Sequence, residues 1–92
     1  MKEDSLSWFY SEATVNSRDG IHGRPASQIC IRAMEYEGRV EIDYNGDRID
    51  AKSAIGILSR GIKPLSTIGI YVQSGEGCQA CAFDIVNIIQ SF

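Results

Sequence analysis

One histidine stands in the chain, set in Gly20-Ile21-His22-Gly23-Arg24-Pro25-Ala26. Imidazole is a good nucleophile near neutral pH, and a phosphoryl group on its nitrogen stays energetic enough to be passed on. The residues after His22 read as the opening of a helix. Pro25 suits the first turn, where its missing N–H costs nothing. The first amides of a helix lack internal partners and together carry about half a positive charge. An anion on the ring would be held by those amides, as phosphates commonly are at helix starts. Arg24 adds a guanidinium that can fork onto phosphate oxygens, and the flanking glycines keep bulky side chains off the ring. No second acid, base or metal ligand is arrayed beside His22. That pattern fits a carrier better than an enzyme that completes a reaction alone, and it calls for no metal or other cofactor. A lone histidine at a helix start is more often an ordinary hydrogen-bonding residue, and the residues alone leave both readings open.

Two further groups of residues could do chemistry. Cys78-Gln79-Ala80-Cys81 is a CxxC, which at a helix start can be redox-active through a lowered thiol pKa. The plainer reading places both cysteines on the apolar stripe of the last helix, packing as small hydrophobes. A zinc site would need a second ligand pair that the chain lacks. Cys30 makes the count three, a poor disulfide framework, so free thiols are expected. Ser53 precedes a short apolar stretch and would cap the helix it opens. A phosphate on Ser53 would sit at a second helix start, with Lys52 adjacent.

The elements that must position these residues follow from periodicity. Glu12 to Ser17 alternates, with Ala13 and Val15 on one face, and Trp8, Phe9 and Tyr10 either begin that strand or cover an exposed edge. Arg18-Asp19-Gly20 breaks it as a turn. Ala26, Ile29, Cys30, Ala33 and Met34 form the apolar stripe of a helix, with Gly38 at its stop. Val40, Ile42 and Tyr44 alternate as a half-buried strand. Asn45-Gly46 is a strong hairpin signal, with the return strand at Asp47 to Asp50. A short helix is expected from Ser53 to Leu58, ended by Gly61. Thr67 to Gln73, rich in β-branched and aromatic residues, is a fourth strand, followed by a loop. Cys78, Cys81, Ala82, Ile85, Ile88, Ile89 and Phe92 then share one face of a final helix. The order β-α-β-β-α-β-α predicts an α+β fold, an open-faced β-sandwich with a four-stranded antiparallel sheet and three helices on one face.

The 92 residues make one domain with a sufficient core. Residues 1–8 read as a loosely held extension and 9–92 as the domain. The net charge of −3 argues against a nucleic-acid binder. No apolar run approaches the roughly 20 residues of a membrane span. The acidic start Met1-Lys2-Glu3-Asp4 leads into no signal-peptide core, so a cytoplasmic location is expected.

Gly-Ile-His-x-Arg-Pro-Ala resembles the active-site motif of the HPr family, the histidine-containing phosphocarriers of the bacterial phosphoenolpyruvate-dependent sugar phosphotransferase system. The resemblance runs from about residue 12 to the end. It takes in the Asn45-Gly46 hairpin and a second motif, Ala51-Lys52-Ser53-Ala54-Ile55-Gly56-Ile57-Leu58. It implies that His22 is phosphorylated on Nδ1 by phospho-enzyme I and donates to EIIA components. It also implies that Arg24, with the backbone at His22 and Gly23, helps hold the phosphate. Ser53 matches the regulatory site of an ATP-dependent HPr kinase/phosphorylase. Ile55 and Leu58 match positions that dock partners, although their spacing would equally suit a core. The alternative implied function is mainly regulatory, with serine phosphorylation controlling association with partner proteins. A monomer is expected. Gly23, Ala54 and Arg60 depart from the family's usual residues. They bear on recognition by the kinase and by particular EIIA domains more than on His22.

Overall fold

Thr67–Gln73 is rich in β-branched and aromatic residues, and it forms the strand on which the sheet is built. A computed structural model describes residues 7–92. In chain order the elements are β1 (Trp8–Thr14), α1 (Gly23–Met34), β2 (Val40–Tyr44), β3 (Asp47–Asp50), α2 (Ala54–Leu58), β4 (Thr67–Gln73) and α3 (Cys78–Ser91). The sheet order is β1-β4-β2-β3, and every neighbouring pair is antiparallel. Opposite Ile70 stand Ser11 on one side and Ile42 on the other. The hairpin joining β2 to β3 turns through Asn45 (φ 54°) and Gly46 (φ 88°), the pair of positive angles a two-residue hairpin favours. The Asp43 carboxylate accepts from the Gly46 amide at 3.0 Å.

The alternation of β1, β2 and β4 sends one set of side chains toward the helices. Ala13, Val40, Ile42, Ile68, Ile70 and Val72 are buried there, against Ala26, Ile29 and Ala33 of α1 and Cys81, Ala82, Ile85 and Ile89 of α3. Each fully buried Ile or Val contributes roughly 1.5–3 kcal/mol relative to exposure, and this one-sided core holds the helices on the sheet. α3 packs on β1 and β4, while α1 packs on α3 and α2. The other face of the sheet is open. It carries Tyr10, Trp8 and Tyr71, with the Arg48 guanidinium 3.5 Å from the centre of the Tyr71 ring.

The expected open-faced α+β architecture and element order are therefore present, with local differences. The first strand is Trp8–Thr14 rather than Glu12 to Ser17. It includes the aromatic run, and it begins one residue before the expected boundary between extension and domain. Residues 1–6 of the expected extension lie outside the described residues. The first helix stops at Met34, with Glu35 as its cap, four residues ahead of Gly38. Met34 itself is 65% exposed, because α3 covers only the narrower stripe through Ala26, Ile29 and Ala33. Among the described residues, no helix is long and apolar enough to cross a membrane.

Candidate functional site

The turn that delivers the histidine is built on Gly20. It has φ +70°, and a Cβ there would stand 2.0 Å from the Ile62 carbonyl oxygen. Only glycine combines that backbone angle with that approach. The same carbonyl accepts from the Ile21 amide at 3.1 Å, while the Gly20 amide donates to the Ser17 carbonyl at 3.2 Å. Ile21 is buried. His22 follows as the N-cap of α1, in extended backbone (φ −98°, ψ −163°).

His22 makes no side-chain capping hydrogen bond. Its carbonyl, however, accepts from the Ala26 amide at 3.0 Å and closes the first turn. The backbone of His22 thus begins the helix while its imidazole stays partly exposed. This weighs against the reading of His22 as a routine helix-start hydrogen bonder. Pro25 has no N–H to present, so the orphan donors beside the ring are the amides of Gly23 and Arg24. Gly23 has open space where a Cβ would stand.

A third side chain joins them from the far end of the sequence. The Phe92 ring lies edge-on to the His22 imidazole, centroids 6.3 Å apart and planes at 90°. The Arg24 guanidinium lies over that same phenyl ring, 5.8 Å from its centre, within cation–π range. Phe92 is held there by the end of α3. The Gln90 side-chain carbonyl accepts from the Thr14 amide at 3.2 Å, and its backbone carbonyl accepts from Asn16 Nδ2 at 3.0 Å. The structure thus brings His22 and Arg24 to a common aromatic neighbour. The sequence put Phe92 on an apolar helical face and gave no sign of this contact. Pairing across 70 residues is a product of the fold rather than of local pattern.

Ser53 stands apart from this site. Its Oγ accepts from the Gly56 amide at 3.0 Å and caps α2, in keeping with its place at the head of that apolar stretch. Beside it, the Lys52 carbonyl accepts from Cys30 Sγ at 3.3 Å. Cys30 is eight residues along α1 from His22, about 12 Å at helical rise. Lys52 does not offer its charge to Ser53: its Nζ donates to the Tyr36 carbonyl at 2.7 Å. Ile55 is 79% and Leu58 42% exposed, and only Ile57 of α2 is buried. The core alternative for Ile55 and Leu58 therefore falls away.

All three cysteines are free. Cys81 is buried, and desolvation pushes its thiol above the ordinary value. Cys81 thus packs as a small hydrophobe in the core, while Cys78, at the start of α3, is half-buried against it.

The family model described as the PTS HPr component phosphorylation site matches residues 10–91. Among solved structures, the phosphocarrier protein HPr of Bacillus anthracis superposes with a TM-score of 0.81 at 24% identity, over 91% of this chain and 99% of that one. HPr-C-His of Thermoanaerobacter tengcongensis gives 0.80 at 20% identity, over 90% and 92%. The catabolite repression HPr, Crh, of Bacillus subtilis gives 0.67 at 21% identity, over 91% and 99%. The shared architecture runs through all of these, and with the family model spanning nearly the whole sheet and all three helices, this chain belongs to the HPr family of the phosphotransferase system.

Proposed function

We propose that the chain is a phosphocarrier that accepts a phosphoryl group from phospho-enzyme I on His22 and passes it to EIIA components. The observation carrying this reading is the helix cap itself. An imidazole sits at the start of a twelve-residue helix, free of any capping bond and partly open to solvent. In the forward step the lone pair of the ring nitrogen, Nδ1 by resemblance to the family, attacks phosphorus. The N–P bond forms as the donor's bond to phosphorus breaks, and that electron pair returns to the donor. The Gly23 and Arg24 amides and the Arg24 guanidinium would take the phosphate oxygens. Transfer to EIIA runs the same displacement outward. Incubation with enzyme I and labelled phosphoenolpyruvate tests the reading. Acid-labile label on the wild type, absent from His22→Ala, is expected. An unlabelled wild type, or full labelling of His22→Ala, defeats it.

A second reading rests on a separate observation. Ser53 caps a five-residue helix that presents Ile55 and Leu58 to solvent. Phosphorylation of Ser53 by an ATP-dependent HPr kinase/phosphorylase would place a dianion beside that apolar pair and alter docking of partner proteins. The fold likeness to Crh, the catabolite repression HPr, is compatible with such a regulatory role. Acid-stable label from ATP and the kinase, lost in Ser53→Ala, is the expected result. A chain never labelled from ATP removes this reading. One molecule can carry both sites, and a monomer suffices for each.

A further inference from the structure

Resting on the reading of His22 as phosphoryl acceptor, we infer that Phe92 is a positioning residue for the transfer, ordering the Arg24 guanidinium on the ring that also lies against the imidazole. Three observations meet in this assignment. Phe92 is edge-on to the His22 ring. It also lies beneath the Arg24 guanidinium. The end of α3 that carries it is tied down by the two hydrogen bonds of Gln90 to Thr14 and Asn16. Arg24 is otherwise exposed, and among the described residues no carboxylate pairs with it. An exposed arginine without an anchor would sample many rotamers and lose that freedom on gripping phosphate. The phenyl face removes much of that freedom in advance. The contact uses the face of the guanidinium and leaves its N–H edge free, so a forked, charge-assisted hydrogen bond to phosphate can form while the phenyl ring stays in place. Phe92 thus keeps the guanidinium ordered before and during its grip on the anion.

The test compares wild type, Phe92→Leu and Phe92→Trp as substrates of enzyme I with labelled phosphoenolpyruvate. Leucine keeps the apolar bulk and loses the π face, while tryptophan restores the face. At saturating chain, the phosphorylation rate of Phe92→Leu is expected to fall about twofold to fivefold, the scale of one exposed cation–π contact. KM should be unchanged and Phe92→Trp should recover the rate. Side-chain proton resonances of His22 and Arg24, followed without any phosphate donor, should shift in Phe92→Leu as the ring current is lost. An unchanged or faster Phe92→Leu, a change confined to KM, or a Phe92→Trp as slow as Phe92→Leu overturns the inference. A wild type that takes no label overturns the carrier reading and this inference with it. A labelled wild type with an indifferent Phe92→Leu overturns the inference alone.

Discussion

α1 and α2 both begin on a residue in extended backbone, yet the two caps behave oppositely. Ser53 turns its hydroxyl inward to the Gly56 amide, and His22 makes no side-chain bond to its helix. Helix length accounts for much of the difference. α2 has five residues, too short to form without local help. α1 has twelve, and Pro25, Ala26, Ile29 and Ala33 anchor it in the core. A well-anchored helix tolerates an unmade cap bond, and the side chain at that position is left for other work. The comparison teaches that a helix-start side chain left without a capping bond depends on stability supplied elsewhere, here by the stripe under α1 and the rigid turn at Gly20.

The largest effect that would break this comparison lies in that turn. Gly20→Ala forces a Cβ toward the Ile62 carbonyl at a backbone angle alanine resists, and it should cost about 3 kcal/mol in urea unfolding. A cost near zero would mean that the turn does not fix His22 at all. Next comes Ser53→Ala, expected to lower stability by about 1 kcal/mol through loss of the cap. Equal stability of the two chains would show that the Oγ bond to Gly56 contributes nothing. His22→Ser sharpens the contrast from the other side. A serine at this extended position can make the missing cap bond, so thermal unfolding should show a gain of about 0.5–1 kcal/mol while labelling through enzyme I vanishes. A loss of stability would reveal a structural role for the imidazole. The smallest change is Gly23→Ala. Its Cβ would enter open space, and the stiffer unfolded chain should raise stability by about 0.5 kcal/mol, with circular dichroism melting as the check.

Much of this organisation is legible along the chain. Asn45-Gly46, the alternation of Val40 and Ile42, and the stripe of Ala26, Ile29 and Ala33 are local signals, and the structure obeys them because each acts within a few residues. The turn before His22 was readable as a break at Arg18-Asp19-Gly20, but not as a seat for the Ile62 carbonyl. Trp8 to Tyr10 were ambiguous because aromatic residues suit strand edges and open faces alike. Met34 looked like core because spacing defines a face without saying how widely a neighbour covers it. Ile55 and Leu58 resisted assignment for the same reason. The Lys52 ammonium, adjacent to Ser53 in sequence, turns to the Tyr36 carbonyl, and Phe92 reaches His22 only through the tertiary fold. Side-chain direction and long-range meeting were the missing terms.

The two bonds of Gln90 join positions separated by 76 and 74 residues. A chain still emerging from the ribosome cannot make them until α3 is complete. The surroundings of the lone histidine are therefore among the last parts of the molecule to come together, and a half-folded copy holds only a bare imidazole there. On the reading proposed above, competence in phosphate transfer would be a property of the fully folded chain.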